Sequence, residues 1–267
     1  MLNFKRVSRV FIALMALSLC ANWWISVHWL VYVVILSGYA GCMAYGSAFV
    51  CSQFFIPAIC SIPNNNRQVA LTFDDGPDPE ITPQVLTILK EYGVQATFFC
   101  IGHKVASYPA LVRQIVEEGH LVGNHSFSHS YWIDFKTPPG FRKEIIDCRE
   151  AIHAAAGVMP RFFRPPYGVT TPALASAVKA ENVTVIGWDV RSLDGLLRDE
   201  RQILQRIEAQ LKPGSIILLH DTNPAQPRIL RNLLQYLREQ RLQAVRVDEL
   251  CEREAYQNST DKPDANT

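Results

Sequence analysis

Two adjacent carboxylates, Asp74 and Asp75, stand within the stretch "LTFDDGPDP" (71–79), between a β-type run and a tight turn. Consecutive side chains of an extended strand face opposite ways, so one carboxylate can bind a metal while the other meets a substrate as a base. Asp78 stands beside Gly76 and Pro77 and serves the turn. His125 and His129 lie four apart in "HSFSH", which on one helical turn puts both imidazoles on the same side. An oxygen ligand such as Asp75 completes a His, His, Asp set for a divalent metal, with a position left for water. A Ser-rich polar loop explains the His pair taken alone; the acidic pair and His220 shift the balance towards a site. Arg164 opens "RPPYG" (164–168), in which Pro165 and Pro166 stiffen the backbone that carries Tyr167. A rigid N–H there can donate to a developing oxyanion. His220 follows the apolar "SIILL" (215–219). An unpartnered neutral imidazole is costly at such a place, and a protonated one can act as a general acid. Trp188 reads as core, or as a wall of the pocket.

Each of these motifs needs an element to hold it. From Gln68 onward the chain alternates short β-branched or aromatic runs with amphipathic segments: "VALTF" then "PQVLTILKEYG", "ATFFCIG" then "PALVRQIVEEG", and so on to "LQAVRVDEL". Seven strand candidates separated by helices predict an α/β fold with a parallel sheet, a distorted and incomplete (β/α) barrel of about seven strands. "DDGPD", "GNHSFSH", "RPPYG" and "LLHD" all begin at C-terminal ends of predicted strands, the face on which parallel α/β folds bind ligands. That coincidence predicts an enzyme.

The remainder of the chain sets the context. Among 267 residues, 26 basic against 25 acidic side chains leave a formal charge of +1, which excludes a strong electrostatic footprint for nucleic acid. After Lys5, Arg6 and Arg9, residues 10–66 contain no Asp, Glu, Lys or Arg. A span needs about 20 apolar residues, so the expected organisation is a basic N-terminus (1–8) and a transmembrane region (9–50) with two spans near 9–26 and 29–50. A linker (51–67), a catalytic domain (68–254) and a disordered polar tail (255–267) follow. A cleaved signal peptide competes with this reading but leaves the hydrophobicity beyond Trp29 unexplained. The basic start and the uncharged turn point to a bacterial inner membrane, with the domain returned to the cytoplasmic face. A single crossing would put the domain outside. The seven Cys show no paired short spacing and read as buried thiols, their odd count favouring a reducing compartment.

In order and approximate spacing, "TFDDGPD", "HSFSH", "RPPYG" and "LLHD" make residues 68 to about 250 resemble the polysaccharide deacetylases of the NodB-homology type, the family-four carbohydrate esterases. The resemblance implies a distorted α/β barrel, with Asp74 as catalytic base and Asp75, His125 and His129 as ligands of zinc or a similar divalent ion. It further implies that Arg164 orients Asp74, that Tyr167 offers its N–H to the oxyanion and that His220 protonates the departing amine. The implied reaction is removal of an N-acyl group, N-acetyl above all, from an amino sugar in a glycan or a lipid-linked saccharide. An O-acetyl esterase, a non-catalytic glycan-binding protein on the same fold and an assembly subunit are the rival readings. One stretch departs from the family's Asp-x-x-Asp-Trp. In "GWDVRSLDG", Arg191 takes the place of the Asp that supports the catalytic His, Asp194 matches the second Asp, and Gly195 replaces the Trp. Asp189, two residues before Arg191 on the same side of an extended strand, or another group, then assists His220.

Overall fold

The apolar runs become strands and the segments between them become amphipathic helices across residues 2–197 and 199–257 of the computed structural model. The helices are α1 (Phe4–Ala21), α2 (Trp29–Ala48), α3 (Thr82–Tyr92), α4 (Gly102–Ser107), α5 (Pro109–Glu117), α6 (Pro138–Ala156), α7 (Pro172–Ala180), α8 (Glu200–Gln210), α9 (Gln226–Glu239) and α10 (Val247–Cys251). The strands are β1 (Ala58–Ile59), β2 (Gln68–Asp74), β3 (Thr97–Cys100), β4 (Leu121–Asn124), β5 (Phe162–Phe163), β6 (Thr184–Ile186), β7 (Val190–Arg191), β8 (Ile216–His220) and β9 (Gln243–Val245). They form one parallel sheet in the order β1-β6-β5-β4-β3-β2-β8-β7, with β9 beside the start of β2.

Each of the seven expected strands is present, but "VTVIGWDV" divides into β6 and β7, which sit towards opposite ends of the sheet. Only Gly187–Asp189 joins them; Gly187 N–H donates to Ile59 O at one edge and Asp189 N–H to Ile216 O at the other. Three residues of extended chain reach about 10 Å. The sheet therefore curls until its edges nearly meet, and chain rather than strand pairing bridges the gap. This is the incomplete barrel, and it requires Gly187, where a Cβ would lie 2.6 Å from Cys60 Sγ.

Strand periodicity sorts the core. Val69, Leu71 and Phe73 of β2 pack with Ile217, Leu219 and the apolar faces of α3 and α9, outside the barrel. Ala70 joins Ile216, Phe99, Phe162 and Ile186 within it. Thr72 and Asp74 continue the Ala70 face, so the interior is apolar at the bottom and polar at the C-terminal end. Asp74 pairs in register with His220 of β8, which seats two of the candidate residues side by side.

N-terminal to the barrel, α1 and α2 form an antiparallel hairpin. Tyr32 OH donates to Ser18 O, Ser8 Oγ lies 3.1 Å from Tyr39 OH, and the Phe11 and Tyr39 rings stack at 4.2 Å. The apolar side chains of both helices are largely exposed. Among the described residues α2 alone is long and apolar enough to cross a membrane, because α1 carries Lys5, Arg6 and Arg9.

Three expectations are corrected here. Residues 51–67 are not a linker: Phe54, Ile56 and Ala58 are buried, and β1 pairs with β6. Cys51 and Cys60 form a disulfide, so the reading of seven thiols, and with it the argument for a reducing compartment, falls. At the other end Tyr256 is held in place, its OH accepting from Val122 N–H at 2.9 Å, so the expected disordered tail does not begin at 255. Its residues 258–267 lie outside the described residues.

Candidate active site

Strand β2 stops at Asp74 because Asp75 adopts φ +71°, in the left-handed region. The two carboxylates do part company, through that turn rather than through β alternation. Asp75 Oδ1 lies 3.5 Å from His125 Nε2 and 3.3 Å from His129 Nε2. The histidines are not on a helix. Residues 125–130 form an irregular loop in which Ser126 (φ +64°) and His129 (φ +46°) are left-handed, and this loop brings the imidazole rings within 4.8 Å of each other.

His125 Nδ1 lies 2.8 Å from the Arg164 carbonyl, which can only accept, so Nδ1 carries a proton and Nε2 is the nitrogen turned towards Asp75; burial lowers the pKa of this ring, but Asp74 and Asp75 raise it above its ordinary value. Burial, then the charge of His125, push His129 down to about 4, so it is neutral at neutral pH. Burial raises Asp75, but the contact with His125 and the charge of His125, His129 and His220 hold its carboxyl well below the usual carboxylate range. Its Oδ1 is buried yet accepts no hydrogen bond. An orphaned carboxylate oxygen and two imidazoles, with ligand atoms within 4.8 Å of one another, fit a divalent cation.

Arg164 is fully buried and plugs the polar end of the barrel. Nη1 donates to Asp74 Oδ1 and Thr72 Oγ1, both at 2.7 Å, Nη2 to Gly187 O at 2.9 Å and Nε to Ile186 O at 3.2 Å. The guanidinium lies 4.2 Å from the centroid of Phe99. One residue thus orients the Asp74 carboxylate through its side chain and the His125 ring through its carbonyl. Across the mouth, His220 Nδ1 donates to Asp194 Oδ1 at 2.6 Å, and Asp194 Oδ2 accepts from His220 N–H at 2.8 Å. Burial lowers the pKa of His220, but the Asp194 hydrogen bond and charge, reinforced by Asp74 and Asp75, lift it to about 9. A protonated imidazole and the Asp74 carboxylate therefore flank the His, His, Asp cluster.

A sequence profile described as polysaccharide deacetylase matches residues 61–186. A chitooligosaccharide deacetylase from a Bradyrhizobium species is 39% identical over 163 residues, 60% of this chain and 74% of that protein. The chain belongs to the polysaccharide deacetylase family. A peptidoglycan-N-acetylglucosamine deacetylase of Bacillus cereus is 38% identical over 60% of this chain, and the chain spans 58% of that relative's length. The solved Bc1960 peptidoglycan N-acetylglucosamine deacetylase shares the fold with a TM-score of 0.70 at 32% identity, over 74% of this chain and 94% of that one.

Within this polysaccharide deacetylase fold, the support of His220 is Asp194, not Asp189. Asp189 accepts from Ile216 N–H and Ser215 Oγ and pairs with Lys212, so it fastens the barrel edge. Strand β7 ends at Arg191 and Leu193 is left-handed (φ +61°), a turn that carries Asp194 back to His220. Arg191 is exposed, its guanidinium 6.0 Å from the Trp188 ring. Trp188 itself packs against Gly168 and 5.6 Å from Arg164, beneath the "RPPYG" loop. Tyr167 (φ +58°) donates its OH to His129 O and lays its ring 4.6 Å from His129.

Sequence reasoning missed Glu144 of α6, a charged residue in an amphipathic helix with no local mark of function. Its carboxylate is buried and accepts from Phe127 N–H, Ser128 N–H, Ser128 Oγ and Lys136 Nζ at 2.7–3.0 Å, clamping the "HSFSH" loop from behind. Lys104 Nζ, also missed, donates to Asp75 O at 2.7 Å. Replacing Glu144 with Gln leaves one acceptor oxygen for these donors and turns an NH2 towards either Lys136 Nζ or the two backbone N–H groups, none of which can accept. Partners of metal ligands change affinity by about 10–100-fold when altered. Glu144→Gln is expected to weaken zinc binding within that range while leaving circular dichroism unchanged. Competition with a chromophoric chelator measures it, and unchanged affinity would remove Glu144 from the site.

Proposed function

We propose that this chain is a membrane-attached, metal-dependent carbohydrate N-deacetylase that removes an N-acyl group, acetyl in the first instance, from an amino sugar of a glycan or a lipid-linked saccharide. The observation that carries this reading is the register of Asp74 against His220 across the Asp75–His125–His129 cluster. A divalent cation held by those three side chains supplies Lewis-acid polarisation of the acyl carbonyl when bound. The protein's own groups handle the protons. Arg164 occupies Asp74 Oδ1, which leaves Oδ2 to take a proton from the attacking water as its oxygen bonds to the carbonyl carbon. Asp194 holds His220 Nδ1, which leaves Nε2 to protonate the nitrogen as the C–N bond breaks. Free amine and carboxylate result. An acid that stays protonated up to about pH 9 suits an amine leaving group, which must gain a proton to depart, better than an ester oxygen.

Membrane attachment rests on α2. The basic N-terminus favours the cytoplasmic face and the Cys51–Cys60 disulfide an oxidising one; the redox state of that pair in intact cells decides between them.

The test uses full-length protein in detergent, with N-acetylglucosamine oligomers, peptidoglycan fragments and a polyprenyl-linked N-acetylhexosamine as substrates. Acetate release with product mass spectrometry is expected with zinc, and chelation is expected to reduce it more than about 100-fold, the equivalent of several kcal/mol of lost transition-state stabilisation. Metal binding without release from any of these substrates would overturn the reading.

A further inference from the structure

The membrane hairpin is fastened to the catalytic loops, not tethered at a distance. In the last turn of α2, Gly46 O accepts from Thr170 Oγ1 at 2.9 Å and Ser47 O from Thr170 N–H at 3.1 Å. Thr170 lies three residues beyond Tyr167, whose ring packs on His129. The next turn after α2 contributes Val50 to the buried cluster that also holds Ile133 and Phe141. Around Ile133, Tyr131, Trp132 and Phe135 are 86%, 74% and 82% exposed. Tyr131 stacks on Tyr167 at 6.0 Å, so a file of rings runs from His129 to the open surface.

The surroundings of this aromatic rim say what covers it. A helix of 20 residues is about 30 Å long, the thickness of a bilayer core. Trp23, Trp24 and Trp29 are exposed at one end of α2, and Tyr45 and Phe49 at the other, the end that docks on the catalytic domain. Aromatic side chains of this kind collect at both membrane–water interfaces. At the same end Phe4 N–H donates to Phe54 O, which brings Lys5, Arg6 and Arg9 to the boundary where anionic headgroups lie. Three exposed aromatics around Ile133, which packs with Val50 just after a span-length helix whose same end carries the N-terminal cations, match the interfacial layer in apolar character.

We propose that Tyr131, Trp132 and Phe135 rest in the interfacial layer of the bilayer that holds α2, and that the site takes N-acylated amino sugars carried on a lipid. The second half of this statement rests on the deacetylase reading. The bilayer presents such a sugar to a mouth whose rim is already immersed, whereas a soluble oligosaccharide gains nothing from the rim.

Two measurements on the full chain test it. In vesicles of 6,7-dibrominated phosphatidylcholine, the fluorescence that distinguishes wild type from Trp132→Phe is expected to be quenched relative to unbrominated vesicles. A Trp132 contribution of equal size in both overturns the membrane contact, whatever the activity. Separately, the Trp132→Ser/Phe135→Ser variant is compared with wild type on a polyprenyl-linked N-acetylhexosamine in vesicles and on a soluble chito-oligomer in detergent. The ratio of the two turnovers is expected to fall by about tenfold or more, as when two aromatic side chains lose their apolar surroundings. An equal fall on both substrates makes the rim a sugar-binding surface and overturns the proposal, as does no change on either. Absence of wild-type turnover on both would defeat the deacetylase reading and leave the quenching result to decide the membrane contact.

Discussion

Asp74→Asn is expected to abolish most of the hydrolysis while the protein still folds and still binds metal. Two effects compete at this position. Chemically, the amide cannot take the proton of the attacking water, and loss of a positioned general base lowers kcat by about 10²–10⁴-fold. Structurally, Arg164 is fully buried, and removal of its counter-charge threatens the fold. Breaking a buried ion pair costs about 3–5 kcal/mol when one partner is truncated. Asn is close to isosteric, however, and its carbonyl can still accept from Arg164 Nη1. The guanidinium also keeps Thr72, Gly187 and Ile186 as partners. The structural loss therefore falls below that range, and the chemical loss dominates. None of the metal ligands is altered, and the nearest, His125 Nε2, is 3.8 Å from Asp74 Oδ2. Acetate release at saturating zinc, a zinc titration and a thermal melt on the same preparation separate these outcomes. Folded, zinc-loaded Asp74→Asn with wild-type turnover would remove Asp74 from the role of base.

Much of this site was legible in the sequence because its parts are short motifs at strand ends, and a parallel sheet brings such ends together whatever its curvature. Asp74, Asp75, His125, His129, Arg164 and His220 do converge, with Tyr167 beside them. What local pattern could not supply was the direction of turns. Four-residue spacing placed His125 and His129 together on a helix that does not exist; left-handed Ser126 and His129 achieve the same meeting in a loop. Strand parity favoured Asp189 as the partner of His220, and the left-handed Leu193 defeats parity by reversing the chain before Asp194.

Other features depend on tertiary closure. "VTVIGWDV" is one apolar run by propensity, and only the curl of the sheet sends its halves to opposite edges. Cys51 and Cys60 look like two more apolar-region thiols until the segment between them folds back to place Ala58 beside Val185. Glu144 resembles a solvated helix residue until α6 packs over the "HSFSH" loop and buries it. In each case the residue type is compatible with several environments, and packing selects one.

At Asp194 the second large effect is expected, and its sign follows from His220. Burial alone would push this imidazole below its ordinary value, but the Asp194 hydrogen bond and charge, with Asp74 and Asp75 behind them, raise it to about 9. A folded value above the unfolded value of about 6.5 means that folding favours the protonated ring. That contribution to stability is complete below pH 6.5 and is lost as pH rises through 9. The proton needed by the leaving amine is available over the same range. In Asp194→Asn the opposing charge is gone while burial remains, so the His220 pKa falls. The alkaline limb of kcat is expected to move acidward by about two pH units, and turnover at pH 8 to drop by about tenfold. Ser192 Oγ can still donate to the Asn carbonyl, and Asn223 Nδ2 still donates to the residue 194 backbone carbonyl, so the loop that carries the residue keeps two of its fastenings. A pH–kcat profile at saturating zinc, with the melting temperature followed over the same interval, tests both consequences. The melting temperature of wild type should decline between pH 6.5 and 9 more steeply than that of the variant, since only wild type carries the raised imidazole. An alkaline limb that stays in place in Asp194→Asn would show that another group delivers the proton to the departing nitrogen.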